Sequence, residues 1–354
     1  MDRPPPRMRA AWITELGPPE AIAVGELPVP VPGPADVLVR VELAAVDPVD
    51  LLVRSGAYPT PTPFPFVVGR DLVGTVAVAG PGTAGFAPGD RVWCDSLGHG
   101  GRQGACAEYA VVPAERLYHL PAGADPVAAV ALLHPAATAW LALFRHGGLR
   151  PTETVAVGGG AGNVGTALIR LAALAGARVL VTARPDDDAW CRAAGAAEVV
   201  DYRDPDPAGR LRALAPGGVD LYVDTSGHLD LPATVDLLAD RGRIVLLAGG
   251  GQRLTLPAGP LYTHDRRILG FAISNAPTAD LAGAAAALNR LLDRGAWPVR
   301  VHGVWPLERV ADAHRAVAAG VRGRIVLRVA DPPPGHRPRP EPGADASPGS
   351  GGAR

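Results

Sequence analysis

The sequence contains no lysine, and all 34 of its cationic side chains are arginine. This excludes Schiff-base catalysis and any lysine ammonium acting as a proton donor. Cysteine is almost as scarce. Cys94, Cys106 and Cys191 are too few and too scattered for a disulfide framework or a four-thiolate zinc site. Neither charge sign is in excess, since the formal net charge is −1, so there is no basic field to draw nucleic acid or an anionic membrane. Aromatics make up 5% and do not interleave with basic residues, which argues further against RNA. The opening MDRPPPRMRAAW lacks the continuous apolar stretch of a signal peptide. No uninterrupted apolar run reaches the roughly 18 residues that suggest a membrane span. These absences lead to the expectation of a cytoplasmic protein with neither nucleic-acid nor membrane partners.

What is present is a chain of 354 residues, 47% hydrophobic and 19% charged, long enough for two cores. From Met8 to about Leu120 short strand patterns alternate with Pro- and Gly-rich turns. Examples are 37–46 (VLVRVELAAV), 72–78 (LVGTVAV), 91–93 and 107–112 (AEYAVV). This pattern predicts an irregular β-barrel. Residues 125–143 become alanine-rich and helical, with His134-Pro135 marking a break or kink. Strands and helices then alternate, with strands expected at 154–157, 178–183, 198–202, 220–224, 243–248 and 268–273. Strand patterns at 299–304 and 323–329 flank a helix and are expected to return to the first domain. The last stretch, 331–354, is Pro, Gly and charge, the composition of a disordered tail.

The segment 153–184, ETVAVGGGAGNVGTALIRLAALAGARVLVTAR, organises the rest. Strand, glycine turn, helix, strand is the first unit of a doubly wound nucleotide fold. Gly159, Gly162 and Gly165 form G-x-x-G-x-x-G. Side chains in the turn would keep the backbone from a pyrophosphate, and one at Gly165 would separate helix from strand. The helix start, at Asn163 and Val164, offers N–H groups and the positive dipole end to phosphate. In NAD-preferring sites an acid about 20 residues further on holds the ribose 2′-hydroxyl. Here the second strand ends in Arg184, whose guanidinium can pair with a 2′-phosphate. The expected cofactor is therefore NADPH. Asp186, Asp187 and Asp188 fit the first turn of the next helix, where acids favour the dipole.

Taken together, several segments resemble the medium-chain dehydrogenase/reductase superfamily, and within it the zinc-independent NADPH:quinone oxidoreductases related to zeta-crystallin. They are AVDPVD (45–50), RSGAYP (54–59), GRDLVG (69–74), PGDRV (88–92), AEY (107–109), the glycine turn, VDYR (200–203), ILGF (268–271) and GRIVL (323–327). The resemblance implies an α/β chain with a GroES-like β-barrel catalytic domain over 8–130, completed by about 296–330. A Rossmann doubly wound parallel-sheet domain is implied over 131–295, with a cleft between the two domains and a homodimer. Zinc-using members hold their metal at positions that fall on Asp47, Arg70 and near His134. An arginine cannot ligate the ion, so no metal is expected.

The chemistry implied is hydride transfer from NADPH to a small hydrophobic acceptor carrying an oxygen on which charge develops. A quinone is the leading substrate. Alternatives are reduction of an enone or enoyl-thioester double bond, and an NADPH-binding protein without turnover. Tyr58 matches a tyrosine that relatives place near the substrate, as proton or hydrogen-bond donor or as an aromatic covering the cleft mouth. Asp47 stands where relatives carry asparagine. Arg70 is expected to pair with Asp47 or Asp71. His134 is either a general acid or an interior histidine capping the kink. By similarity Thr138, Phe271, Ser274 and Asn275 line the nicotinamide end. Gly249 and Gly250 admit the cofactor closely at the end of the fifth strand. Tyr202 and Arg203 surround the adenine and 2′-phosphate. The loop 95–105 is expected to shape or cover the substrate site, with Cys94 and Cys106 as inert thiols.

Overall fold

The computed structural model describes residues 3–294 and 297–331. Most of the tail expected over 331–354 therefore lies outside the described residues.

Six parallel strands form the sheet of the second half. They are Thr154–Gly158, Arg178–Ala183, Glu198–Asp201, Val219–Asp224, Leu238–Leu246 and Arg267–Gly270. Their spatial order is third, second, first, fourth, fifth, sixth. The strands are short and rich in Val, Leu and Ile, and they are buried because helices cover both faces. Sequence order reverses between the first and fourth strands, whose register pairs Gly158 with Asp224 at their carboxyl ends. This switch point is where such sheets bind ligands.

The first half closes a seven-stranded sheet. Asp36–Ala45 is its central strand and pairs antiparallel with Asp71–Ala79 along one edge. Its other edge is shared by Tyr109–Pro113, which pairs with residues 36–40, and by Arg324–Arg328, which pairs with residues 43–45. Val301–Pro306 lies beyond Arg324–Arg328 and runs parallel to it. The strand Arg324–Arg328 thus enters the barrel and carries its arginines to the carboxyl end of the central strand.

Helix Pro126–Trp140 lies between the two halves, with Asp125 accepting from the Val127 N–H at its start. Pro135 neither breaks nor ends it, so of the expected break or kink no break occurs. The helix continues into a wider turn over Leu141–His146, where the Gly147 N–H reaches the Ala142 carbonyl. One missing N–H costs less than exposing this helix, because burial on both sides overrides the local preference. The 21 residues from Pro126 to His146 are also long and apolar enough to cross a membrane, which corrects the count of apolar runs made above. His134 and Thr138 interrupt the run, and 72% of the window is buried inside the protein, as in a core helix. Arg243, itself buried, donates to the Gly147 and Gly148 carbonyls and to Glu153, tying the far end of this helix to the first parallel strand.

Helix Val310–Ala318 packs on helix Pro48–Ser55. Its His314 is fully buried, with neither ring nitrogen partnered among the described residues. Burial drives its pKa from 6.5 down to about 3, with Arg54 adding to the shift. A histidine with a depressed folded-state pKa contributes stability above pH 6.5 and loses it as pH falls towards 3. Replacing it by leucine also removes two unsatisfied buried atoms. His314→Leu is expected to stabilise the protein by about 1 kcal/mol at neutral pH and by more at pH 4. Urea unfolding at the two pH values checks this. An unchanged acid dependence would place the acid sensitivity elsewhere.

Candidate active site

At the switch point the chain turns on glycine. Gly159 has φ +77°, a left-handed conformation that side chains disfavour. A Cβ on Gly165 would stand 2.3 Å from the Gly159 carbonyl oxygen, so only glycine lets the helix start against this turn. Helix Asn163–Leu174 begins with no side-chain cap, which leaves the N–H groups of Asn163, Val164 and Gly165 available to an anion. A cleft of about 480 Å³ opens here. It brings together Gly159, Gly162, Asn163, Arg184 and Tyr202, as expected from sequence, and adds Arg300 and residues 320–323 from the end of the chain. The backbone room, the uncapped helix start and the arginines all fit a dinucleotide.

Arg184 donates through Nε to the Tyr202 hydroxyl at 2.8 Å, and both side chains are at the surface. Asp187 stands at the start of the next helix, as expected. It is buried, with one oxygen 2.8 Å from Arg300 Nη1 and the other 3.6 Å from Arg322 Nη2. Arg300 also lies over the Trp190 ring, 4.3 Å from its centroid. The carboxylate lining the cleft is thus held by two arginines from the returning chain. Arg203 does not extend into this cleft; it is paired with Asp201 at 3.0 Å. Gly249, at φ +84°, packs beside Gly227, and Gly250 has open space around it.

A second constellation is buried where the barrel meets helix Pro126–Trp140. Asp47, Asp50, Arg70, Asp71, Asp95, His134 and Arg324 are each no more than 6% exposed. Arg324 places both terminal nitrogens on Asp47, one in a short contact with Oδ1 and the other 3.1 Å from Oδ2. The second nitrogen also donates to Asp71 Oδ2 at 2.8 Å. This corrects the expectation for Arg70, whose Nη1 instead donates to Ser274 Oγ at 2.8 Å across the domain boundary. Arg324 is 277 residues from Asp47, and no local pattern announces that the last strand delivers it there.

His134 Nδ1 lies 3.0 Å from both the Asp95 carbonyl oxygen and Asp71 Oδ1. Its Nε2 has no hydrogen-bond partner among the described residues. Burial alone would lower its pKa, but the Asp47 and Asp71 carboxylates outweigh that and raise it to about 9. Burial and the Asp47 charge also raise Asp71, so the two shifts describe one proton held by the Asp71–His134 pair. Burial and Asp47 push Asp50 up to about 7, and Asp50 accepts the Asp47 N–H at 2.8 Å. Asp47 itself is held low: burial opposes ionisation, but Arg324 and His134 favour it.

The remaining expected residues are more dispersed. The Tyr58 ring lies 5.7 Å from His99 beside loop 95–105. That loop is pinned to the 60–69 segment by Gly100 N–H to Thr60 and by Gln103 to Pro63, Pro65 and Val67. Thr138 donates to the His134 carbonyl at 3.0 Å rather than standing free. Phe271 stacks on His146 at 4.2 Å, and Asn275 is exposed. Cys94 and Cys106 are buried free thiols, with burial raising the Cys94 pKa to about 12 and that of Cys106 further.

Asp47, Asp71 and His134 each bring a possible ligand atom to within 4.8 Å of the others. A zinc ion does not fit them here. The Arg324 guanidinium already occupies both carboxylates, and a cation added beside it would meet like charge in a buried site.

Residues 33–122 match the alcohol dehydrogenase GroES-like domain, and residues 163–290 match the zinc-binding dehydrogenase family. Human quinone oxidoreductase is 29% identical over 327 residues, covering 90% of this chain and 97% of the relative. The rat quinone oxidoreductase is 30% identical over 328 residues, with the same coverage. The chain belongs to the quinone oxidoreductase family of the medium-chain dehydrogenase/reductases. Among solved structures, an NAD-dependent alcohol dehydrogenase superposes with a TM-score of 0.82 at 33% identity, covering 91% of this chain and all of that one. A mycobacterial protein solved with NADPH superposes with a TM-score of 0.79 at 31% identity, covering 91% of this chain and 99% of that one. This oxidoreductase therefore carries the GroES-like and nicotinamide-dinucleotide-binding domains of its superfamily, and the glycine cleft belongs to the second of these.

Proposed function

We propose that this enzyme transfers hydride from NADPH to a quinone without zinc. The observation that carries the cofactor choice is the charge at the tip of the second strand. Arg184 faces the cleft with Arg322 among the residues opposite, while Asp187, the acid that would favour a 2′-hydroxyl, is held by Arg300 and Arg322. A 2′-phosphate meets two guanidiniums there, and a ribose hydroxyl finds no unpaired carboxylate among the residues lining the cleft.

The nicotinamide supplies the hydride, and the protein has to position the acceptor and deliver one proton to its reduced oxygen. His134 suits the second task. Its Nδ1 is anchored, its Nε2 lacks a protein partner, and Asp47 and Asp71 keep it protonated at neutral pH. Tyr58 is half-buried beside His99, and in this reading its ring covers the acceptor. The quinone assignment draws support from the named relatives.

Steady-state oxidation of NADPH with a quinone panel, an enone panel and a chelator tests the proposal. Turnover of quinones that survives chelation is expected, and turnover of enones alone would replace the acceptor. Arg184→Ala is expected to raise the KM for NADPH about 10- to 100-fold, as for the loss of a charge-assisted contact. The KM for NADH should barely move. Equal shifts for both cofactors would remove Arg184 from the phosphate site.

A further inference from the structure

We infer that the acceptor is a quinone bearing a carboxylate, which Arg102 and Arg116 receive beside Tyr58 and His99, with Arg70 behind them. Loop 95–105 begins and ends on the backbone of Gly69 and Arg70. The Leu97 N–H donates to the Arg70 carbonyl at 3.2 Å, and the Ala105 N–H donates to the Gly69 carbonyl at 3.1 Å. A Cβ on Gly98 would stand 2.6 Å from that Gly69 oxygen, so the loop lies directly against this segment. Arg102 folds back inside the loop. Its Nε donates to the Ser96 carbonyl at 3.2 Å, and a Cβ on Gly100 would stand 3.2 Å from its Nη1. Arg116 arrives from the adjoining strand pair, in which Trp93 lies opposite Tyr118. The pair is antiparallel, so Asp95, two residues on, and Arg116, two residues back, leave it at the same end.

These cations gather around His99. Burial lowers the His99 pKa, and the Arg70, Arg102 and Arg116 guanidiniums lower it further. Burial and then Arg116 lower the Arg102 pKa as well. Among the described residues Arg70, Arg102 and Arg116 form no ion pair. The nearby acids do not balance them: Glu115 is exposed, and burial raises the Asp95 pKa towards the neutral form. Arg70 is 1% exposed, with Nη1 on Ser274 and with Nε and Nη2 unpartnered among the described residues. Buried donors without an acceptor cost free energy, and neighbouring cations repel until an anion joins them. A carboxylate meets both needs, because its two oxygens accept from two guanidiniums at once.

This inference rests on the quinone reading above and adds to it a charge that the acceptor carries. Arginines that merely solvate the loop would give no preference between charged and neutral acceptors.

The test compares a benzoquinone carrying a short alkyl carboxylate with its methyl ester, two acceptors with the same ring. Wild type is expected to favour the acid about tenfold in kcat/KM, as for a charge-assisted contact. That ratio should shrink in about 0.5 M salt, which screens the half-buried arginines. In Arg102→Gln/Arg116→Gln the acid-to-ester ratio should fall to about one. The control is Arg210→Gln/Arg212→Gln, which removes two exposed guanidiniums from the helix Pro207–Leu214 and should keep the wild-type ratio. A wild-type ratio near one overturns the inference. So does a ratio that survives in Arg102→Gln/Arg116→Gln, or one lost equally in the control. If the loop variant does not fold, the wild-type ratio and its salt dependence decide. Failure of the quinone reading would appear separately, as reduction of neither compound. Calorimetric binding of the same pair to the NADPH-loaded enzyme then decides: tighter binding of the acid by about tenfold supports the inference, and equal binding overturns it.

Discussion

Gly165→Val is expected to abolish measurable nucleotide binding, with at least about a 100-fold loss of affinity, equivalent to ~2.7 kcal/mol. The first added carbon would lie 2.3 Å from the Gly159 carbonyl oxygen, 2.7 Å from Gly160 Cα and 2.8 Å from the Gly160 carbonyl carbon. All three are backbone atoms, so no side-chain rotation relieves the contact. Either the helix start withdraws from the turn or the turn unwinds, and both scatter the N–H groups that would hold the pyrophosphate. A stability loss of about 1–3 kcal/mol should accompany the change, as for overpacking elsewhere. Gly217→Ala is the matched control, because a Cβ there meets nothing within 4 Å. It should alter stability by no more than about 0.5 kcal/mol. Calorimetric titration with NADPH and thermal melting of both variants check the pair. Wild-type affinity in Gly165→Val would show that the phosphates bind away from this turn.

His134→Gln is expected to lower kcat by about 100-fold, the lower end of what a positioned acid contributes. The acid form is the active one. Wild-type activity should therefore decline as pH rises through about 9, where His134 loses its proton. The variant should lack that decline and keep a near wild-type KM for NADPH. Stability follows the same sign. The raised folded-state pKa gives the native state stability that is fully present below pH 6.5 and lost as pH rises through about 9. A pH–rate profile of wild type and variant decides the matter. An alkaline limb near pH 9 that survives the substitution would place the acid elsewhere and leave His134 as a packing residue.

The parts of the site that were legible in the sequence are those whose partners are close in the chain. The glycines, the helix start and Arg184 lie within one strand–turn–helix–strand unit, so their spacing carries the geometry. The β-branched runs likewise predicted the parallel strands, because burial on both faces demands such residues. Long-range pairings left no comparable trace. Arg70 was the evident partner for Asp47 and Asp71, being adjacent to Asp71 in sequence. Arg70 sits in the bend just before the strand Asp71–Ala79, however, outside its alternating pattern. Arg70 therefore reaches Ser274, and the carboxylates receive Arg324 from the other end of the chain. Asp187 does stand at a helix start, as its spacing indicated, but nothing near it in sequence reveals Arg300 and Arg322. Pro135 misled in the opposite direction where it suggested a break, because burial of the whole helix carries the chain through it. The short run Val321-Arg322-Gly323-Arg324 shows what a sequence signal for the closing contacts would have looked like: two arginines around one glycine, the first lining the nucleotide cleft and the second plugging the carboxylate pair.

In the function proposed, the enzyme passes hydride from NADPH to a quinone with no metal. Rapid mixing of the chelator-treated, NADPH-loaded enzyme with a quinone in a single turnover tests it most directly. NADPH is expected to be consumed one-for-one with the quinone, and more slowly when the transferred hydrogen is deuterium. NADPH that remains unoxidised in the presence of every quinone tried would contradict it.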